Sequence, residues 1–253
     1  MDSIVSLPER VETLNWGGLK IIQNATAPCF CLDAVLLADF ALPVIKQQAS
    51  PYVLDLGTGT GILPLLLYTV NQKAKFWAVE IMEQMADMAQ RSVALNGIGE
   101  DQVKVIHADL RDSDQLFKPR SFDLVTANPP YFALKDGRLS ENPLFAAARS
   151  ELYCKPEDVI RQSSVLLKEN GSLLLCYKPQ RLNNLLILLQ EHGLYPIRLR
   201  MVHSMIDNDA VLFLLQAQKK KQGSLTVMPP LIIYREVGIY TQEMQKIHEG
   251  EYV

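Results

Sequence analysis

The sequence has only four cysteines among its 253 residues, and no two of them form a CxxC pair. Cys29 and Cys31 are too close together for an ordinary disulfide and have no partners for a zinc site. We therefore expect free thiols in a reducing compartment and no bound metal. No apolar run reaches the roughly 18 residues that a membrane helix needs, and the start of the chain has no signal-like region. These absences predict a cytoplasmic protein that does not contact a membrane.

The chain also lacks an excess of positive charge. Its 25 Lys and Arg stand against 28 Asp and Glu, which gives a formal net charge of −3. Any contact with nucleic acid must therefore use local basic patches rather than a long-range field. Hydrophobic residues make up 48% of the chain, enough to bury a large core. We divide the chain into a lead-in, residues 1–50, with an extended segment and a helix that pack on a main domain, residues 51–253.

Short apolar strands alternate with helices beyond residue 51. This alternation predicts a mostly parallel sheet with helices on both faces. The last two strands are close together in sequence, which indicates an antiparallel hairpin at one edge of the sheet. The fold class is therefore α/β, with a seven-stranded, mostly parallel sheet and a short N-terminal extension. The predicted strands cover 51–56, 74–79, 103–107, 122–126, 173–177, 197–202 and 210–218, and the predicted helices 32–46, 62–70, 83–96, 156–168 and 181–192.

Polar or glycine residues follow four of the predicted strands, at the point where each strand ends. They are Gly57, Glu80, Asp109 and Asn128. In an open α/β sheet, ligands bind in the crevice outside the carboxyl ends of the strands. We therefore expect these residues to line one site.

The first motif is the loop DLGTGTG at residues 55–61. Its three glycines allow a sharp turn and a close approach of the backbone to a ligand. The helix that follows offers N-terminal amides to an anionic group. The spacing is GxGxG, which differs from the GxGxxG of dinucleotide-binding proteins. The candidate cofactor-binding residues here are Asp55, Gly57, Thr58, Gly59 and Gly61.

Two carboxylates extend this candidate cofactor site. Glu80 follows the second strand, about 20 residues after the glycines, where an acid suits a ribose diol. Asp109 can accept a hydrogen bond from an adenine amino group, while the amide of Leu110 donates to a ring nitrogen. Both acids could instead cap the helices that follow them. The arrangement fits S-adenosylmethionine and NAD alike.

The most specific motif is Asn128-Pro129-Pro130-Tyr131, followed by Phe132. The two prolines cannot continue a sheet ladder, so they end the strand in a rigid loop. An aromatic amine is a poor nucleophile because its lone pair is delocalised. Hydrogen bonds to the Asn128 side-chain oxygen and the Pro129 carbonyl would localise that lone pair. Tyr131 and Phe132 can stack on a planar base. The tetrad therefore indicates methyl transfer to a planar nitrogen.

Together these motifs resemble the class I, Rossmann-like methyltransferases that act on exocyclic nitrogens. Within that class, the segment FCLDAVLLADF at 30–40 is similar to the lead-in of the bacterial tRNA(Val) adenine-N6-methyltransferase family. The tail at 229–250 is similar to the ending of its Gram-positive-type members. The resemblance implies S-adenosylmethionine as cofactor, S-adenosylhomocysteine as product, and a tRNA substrate methylated at the adenine 3′ of the anticodon.

The resemblance also implies further site residues. Asp33 would lie near the donor pocket. Relatives carry an Ala-Arg-His-Glu stretch after the tetrad, and here it reads Ala-Arg-Ser-Glu, with Arg149 as a candidate substrate contact and Ser150 in place of the histidine. We expect a monomer. Candidate phosphate contacts are Lys178, Arg181, Arg198 and Arg200, together with Lys219-Lys220-Lys221, which could equally be a solvated hairpin tip.

Other readings share parts of this pattern. A protein glutamine-N5 methyltransferase uses the same tetrad on an amide, although such enzymes carry a longer helical N-terminal domain. A ribosomal RNA guanine-N2 methyltransferase is a second alternative. A small-molecule O-methyltransferase is disfavoured because the tetrad is neither a base nor a metal site. A non-catalytic module that binds S-adenosylmethionine or RNA would not need the intact tetrad.

Overall fold

A computed structural model of the protein describes residues 8–24, 32–129, 154–220 and 223–251. Its central sheet contains β3 (Tyr52–Leu56), β4 (Lys75–Glu80), β5 (Val103–His107), β6 (Phe122–Ala127), β7 (Leu167–Tyr177), β8 (Leu194–His203) and β9 (Ala210–Lys219). Their order is β5-β4-β3-β6-β7-β9-β8, in which β9 is antiparallel to both of its neighbours and the other pairings are parallel. The predicted mostly parallel sheet with an antiparallel hairpin is confirmed, and two short strands that pair with β8 bring the strand count from the predicted seven to nine.

Helices cover both faces of this sheet. Successive strand residues such as Val53 and Leu54 belong to two separate buried clusters, one on each face. Because both faces are covered, the central strands are apolar at nearly every position. One face carries α1 (Leu32–Lys46), α2 (Ile62–Val70) and α3 (Glu83–Leu95), and the other carries α4 (Ser113–Leu116), α5 (Pro156–Leu166) and α6 (Leu182–Glu191).

The strand order reverses direction between β3 and β6. From β3 the chain adds β4 and β5 on one side, and it then returns to place β6 on the other side of β3. Such a reversal opens a crevice at the carboxyl ends of the two strands, which is where open α/β sheets bind ligands. The loops that follow β3 and β6 carry the two sequence motifs.

An antiparallel hairpin of β1 (Glu9–Thr13) and β2 (Lys20–Asn24) precedes the main sheet. It docks on α3, where the Arg91 guanidinium donates to both carboxylate oxygens of Glu9 at 2.7 and 2.9 Å. Asn96 at the end of α3 exchanges two hydrogen bonds with the backbone of Lys20. The sequence predicted only an extended stretch at 19–22. It missed β1 because two of its five residues are glutamates and apolar alternation is weak.

Short elements that the sequence did not predict follow β9. They are β10 (Thr226–Val227), β11 (Leu231–Ile232), β12 (Tyr234–Glu236), β13 (Ile239–Tyr240) and α7 (Gln242–Glu249). The first two extend the sheet by pairing with β8, and the next two form a hairpin. Strands of two or three residues are too short to show a hydrophobic period. Strand β7 also begins six residues earlier than the predicted 173, because Leu167 already pairs with Phe122.

The tail, residues 229–250, packs against the N-terminal hairpin. Trp16, in the turn between β1 and β2, is 2% exposed, and its indole nitrogen donates to the carbonyl of Ile247 in α7 at 2.7 Å. Gly250 ends α7 in the left-handed conformation, and a Cβ there would come within 2.7 Å of the Trp16 ring. The indole therefore packs directly on the end of the last helix.

Several basic side chains that the sequence offered as phosphate contacts have internal roles instead. Arg198 donates to the carbonyl of Phe40 and lies 4.0 Å above its ring. Arg200 donates to Pro229 and pairs with Glu243, which ties the tail to β8. Lys219 is 8% exposed and donates to the carbonyl of Leu167. The alternative prediction, a solvated hairpin tip, was also wrong for Lys219, because this last residue of β9 is buried.

Met85 and Met88 are buried on one face of α3, as expected for core residues. Cys154 and Cys176, the two described cysteines, are buried and form no disulfide, while Cys29 and Cys31 lie outside the described residues. Among the helices that the structure describes, none is long and apolar enough to cross a membrane.

The contact between Trp16 and the tail predicts unequal effects of two glycine substitutions. Gly238→Ala meets nothing within 4 Å and carries only the strain of its positive φ, about 1–2 kcal/mol of unfolding free energy. Gly250→Ala adds an overlap with the indole ring, so we expect a further loss of about 1–3 kcal/mol. Urea unfolding of both variants measures the difference. Equal losses would contradict the proposed packing of the ring against residue 250.

Candidate active site

Parallel pairing brings the predicted site residues to one edge of the sheet. Leu56 is in register with Val79 of β4 and with Ala127 of β6, and Glu80 is in register with His107 at the end of β5. The residues that follow these strands therefore lie side by side along the carboxyl edge, as predicted for Gly57, Glu80, Asp109 and Asn128.

The glycine loop after β3 folds back onto the end of β4. The amides of Gly57 and Thr58 both donate to the carbonyl of Val79, at 2.9 and 3.0 Å. The amide of Gly59 donates to a carboxylate oxygen of Glu80 at 2.8 Å. Gly57, Gly59 and Gly61 all have positive φ, a conformation in which a side chain would be strained. The loop conformation thus depends on all three glycines.

The three glycines differ in what surrounds them. A Cβ at Gly57 would meet nothing within 4 Å, so this position faces open space. A Cβ at Gly61 would come within 3.2 Å of Ala89 in α3, so the absence of a side chain there lets α2 and α3 approach each other. Gly57 therefore borders open space at the carboxyl edge, while Gly61 serves helix packing.

Asp55 is the buried carboxylate beneath this loop. One of its oxygens accepts from the Thr126 hydroxyl of β6 at 2.6 Å, and its Oδ2 has no hydrogen-bond partner among the described residues. The Thr58 hydroxyl is buried beside this carboxylate. Burial raises the pKa of Asp55 to about 6, against the opposing hydrogen bonds from Thr126 and Thr58. A buried carboxylate oxygen without a partner fits the ammonium group of an amino-acid moiety.

Glu80 at the end of β4 is 7% exposed and binds the backbone of two loops, the glycine loop and the one that follows β4. Its two oxygens accept from the amides of Gly59 and Met82, at 2.8 and 2.9 Å. Burial raises the pKa of this carboxyl, and the backbone hydrogen bonds oppose the shift. A carboxylate has about four acceptor positions, so one that already orders the loop can still receive a ribose hydroxyl.

Asp109 caps the short 3-10 helix Leu110–Asp112 by accepting from the amide of Arg111 at 2.9 Å. The Arg111 guanidinium also contacts both carboxylate oxygens, and this pairing lowers the pKa of Asp109. The side chain thus acts as the helix cap that the sequence left open as an alternative. Leu110 is buried in the core below it. A role of Asp109 and Leu110 towards an adenine remains a proposal.

Asn128 and Pro129 follow β6 at the same edge. Pro129 is buried, and the Asn128 side-chain oxygen accepts from the Cys176 thiol of β7 at 2.9 Å. The remaining predicted residues of this part of the site, Pro130, Tyr131, Phe132 and Arg149, lie outside the described residues, as does Ser150.

Other predicted residues have clear positions in the fold. Lys178 and Arg181 flank the 3-10 turn that follows β7, and both are half-buried at the carboxyl edge. Asp33 is half-buried in the first turn of α1, which packs against α2 and β7. Within the described residues, no group of three His, Cys, Asp or Glu could hold a metal ion.

Sequence reasoning missed two residues that contact this site. Gln23 of β2 is fully buried and donates to the hydroxyl of Thr60 in the glycine loop at 2.9 Å. Its one signal was its place directly after the apolar pair Ile21 and Ile22. Cys176 gave no signal of its own, because its contact with Asn128 follows from the register of β6 and β7.

Solved structures with this architecture include methyltransferases. A predicted O-methyltransferase from Agrobacterium tumefaciens aligns with a TM-score of 0.68, covering 87% of this chain and 96% of that one at 24% identity. A 16S rRNA N2 methyltransferase from T. thermophilus, solved with AdoMet and guanosine, aligns with a TM-score of 0.59 over 85% of this chain and 52% of that one, at 18% identity. The fold is that of the Rossmann-like class I methyltransferases.

The relatives and the family agree with this class. The chain belongs to the methyltransferase-domain family, whose model matches residues 48–193. A tRNA1(Val) (adenine(37)-N6)-methyltransferase of Porphyromonas gingivalis is 28% identical over 92% of this chain and 91% of its own length. A release factor glutamine methyltransferase of Deinococcus radiodurans is 28% identical over 70% of this chain and 63% of its own length. The protein is an S-adenosylmethionine-dependent methyltransferase, as the motifs predicted.

The raised pKa of Asp55 predicts how stability depends on pH without cofactor. Its carboxyl titrates near 3.8 when unfolded and at about 6 when folded, so the fold favours the protonated form. The resulting stability is complete below about pH 3.8 and is lost as the pH rises through about 6. We expect Asp55→Asn to melt several degrees above the wild type at pH 8 and to match it near pH 4.

The affinity for the cofactor should rise with pH, whereas the stability contributed by Asp55 falls. The ionised Asp55 would accept from the cofactor's ammonium group, so affinity for S-adenosylmethionine should fall as the pH drops through about 6, and Asp55→Asn should bind weakly at every pH. Calorimetric titration measures this. The control is Asp123→Asn at the opposite edge of the sheet, where the carboxylate pairs with Lys168. A cofactor affinity of Asp55→Asn equal to that of the control would exclude Asp55 from the site.

Proposed function

We propose that the protein methylates the exocyclic N6 nitrogen of an adenine in a tRNA anticodon loop, next to the anticodon. The observation that carries this proposal is the position of Asn128 and Pro129. They follow β6 at the point where the strand order reverses, beside the glycine loop that follows β3. The names of relatives that align over nearly their whole length support adenine in tRNA as the acceptor.

Successive residues along this edge would contact successive parts of S-adenosylmethionine, from its amino-acid end to its adenine. Asp55 and Thr58 would hold the amino-acid end through their buried polar atoms, and Glu80 would accept from the ribose. Asp109 and the amide of Leu110 would contact the adenine, with Asp33 near the donor pocket. When bound, this cofactor supplies an electrophilic methyl group on a sulfonium.

Asn128 and Pro129 would make the target amine more nucleophilic. The Asn128 side-chain oxygen and the Pro129 carbonyl would each accept one hydrogen from the target amine, which directs its lone pair away from the ring. No residue has to act as a base before transfer, since the methylated ammonium loses its proton readily to water. Tyr131 and Phe132 would stack on the base and hold it in line.

A base in a loop reaches this site more easily than one in a duplex, because little stacking is lost when it turns outward. Lys178 and Arg181 lie at the carboxyl edge after β7, close in sequence to Cys176, and we assign them to phosphate contacts together with Arg149. We further propose that residues 1–50 are a lead-in to the domain at 51–253, and that the enzyme acts as a cytoplasmic monomer.

The acceptor is tested by methyl transfer to three substrates. Labelled S-adenosylmethionine is incubated with total tRNA from cells that lack this protein, with small ribosomal subunits from the same cells, and with release factor. We expect label in tRNA alone, recovered as N6-methyladenosine on digestion and mass spectrometry. Label in release factor instead would favour the glutamine-N5 alternative, because the same tetrad can polarise an amide. Label in ribosomal RNA as N2-methylguanosine would likewise overturn the tRNA assignment.

Asn128→Ala separates chemistry from binding. Removing the acceptor oxygen should lower the single-turnover rate by about 100-fold or more, the size of effect seen when one polarising group is removed. Affinity for S-adenosylhomocysteine should stay near that of the wild type. An unchanged rate in this variant would contradict the polarising role.

The basic residues after β7 predict a salt effect. The double variant Lys178→Ala/Arg181→Ala should bind tRNA more weakly, and the slope of log Kd against log salt should decrease by about one for each lost phosphate contact. Lys75→Ala is the matched control, because Lys75 is exposed at the start of β4, on the opposite edge of the sheet. A slope that changes equally in the control would remove these residues from the RNA interface.

A further inference from the structure

Cys176 lies beside Asn128 because of strand register. Strands β6 and β7 are parallel, and Ala127 is paired with Leu175. The next residues are Asn128, directly after β6, and Cys176 in β7. Their side chains therefore lie on the same face of the sheet. The Cys176 sulfur lies 2.9 Å from the Asn128 side-chain oxygen. An amide oxygen carries no hydrogen, so the thiol is the donor in this contact.

The thiol is held in place and shielded from water. Cys176 is 0% exposed and belongs to the buried cluster that also contains Leu174 and Leu214. Strand β7 is paired on both sides, with β6 and with β9, so its backbone is fixed there. The Asn128 oxygen thus has a donor whose position does not depend on the cofactor or the substrate.

The orientation of the Asn128 carboxamide decides whether the proposed chemistry can occur. The two ends of a carboxamide have nearly the same shape and opposite hydrogen-bonding properties. With the oxygen at the site, the group accepts a hydrogen from the target amine. With the nitrogen there, two donors would face each other and the amine lone pair would not be localised.

We propose that Cys176 is a positioning residue that fixes the orientation of the Asn128 carboxamide through its thiol. The thiol donates to the Asn128 oxygen, and this oxygen can accept a second hydrogen bond from the acceptor amine. This inference rests on the proposed function, because the amine acceptor is part of it.

Three substitutions at one position separate orientation from packing. A buried cysteine also acts as a small apolar residue, so a purely structural role predicts that activity follows stability. Cys176→Ser keeps a donor but buries a hydroxyl, which costs stability. Cys176→Ala and Cys176→Val keep an apolar side chain and lose the donor. The proposal therefore predicts that activity follows the donor and not the melting temperature.

The measurement is the single-turnover rate on tRNA beside the melting temperature and the affinity for S-adenosylhomocysteine. We expect Cys176→Ala and Cys176→Val to react about tenfold more slowly than the wild type, the effect of losing one buried hydrogen bond. Cys176→Ser should stay near the wild-type rate despite a lower melting temperature, and cofactor affinity should change little in all three. A wild-type rate in Cys176→Ala, or a serine variant as slow as the alanine variant, would overturn the proposal.

A second measurement does not depend on the acceptor. The side-chain amide signals of Asn128 in a nitrogen-15 spectrum are identified by their absence in Asn128→Ala. They should shift or broaden in Cys176→Ala and remain near their original positions in Cys176→Ser. Unchanged signals in the alanine variant would exclude the contact. If the wild type transferred no methyl group to tRNA, the proposed function would fail, while these signals would still decide whether Cys176 orients Asn128.

Discussion

The parallel pairing of β3 with β4 and β6 is the constraint on which the rest of the structure depends. In parallel strands the carboxyl ends meet at one edge, and here each end is followed by a residue that carries chemistry. The Thr126 hydroxyl of β6 reaches Asp55 of β3 at 2.6 Å, so the same pairing that builds the core also fixes the carboxylate under the glycine loop. A shift of one register step would turn Asp55 to the opposite face of the sheet and separate the two motifs.

Buried polar groups hold the glycine loop in place, and the same groups belong to the proposed cofactor site. Glu80 orders the backbone at Gly59 and Met82, while one oxygen of the buried Asp55 has no partner in the part of the chain that the structure describes. Such groups destabilise the folded protein unless something satisfies them. The cofactor would therefore contribute to the stability of the domain as well as to its reaction.

Much of the fold could be predicted because the central strands and helices are long and strongly apolar. Their order, the antiparallel hairpin and the edge that carries Gly57, Glu80 and Asn128 all follow from such segments. The hairpin on α3 and the short strands of the tail could not be predicted, because they are held by distant partners such as Arg91 with Glu9. For the same reason Arg198 and Arg200 were predicted as phosphate contacts, since a sequence does not show which charged side chains find partners within the fold. Asp109 shows what could not be predicted at the carboxyl edge. Its place after β5 was predicted, but its pairing with Arg111 depends on local geometry.

The contact of Trp16 with Ile247 has a consequence for synthesis of the chain on the ribosome. Strand β2 follows Trp16 and carries Gln23, which reaches the glycine loop at Thr60. The hairpin that supports this loop is therefore made well before the helix that closes over its turn, which follows more than 200 residues later. Until residues 242–250 have left the ribosome, the indole of Trp16 lacks the partner that buries it. A nascent chain can thus form its central strands early, yet the support beneath its glycine loop is completed only after α7 has been made.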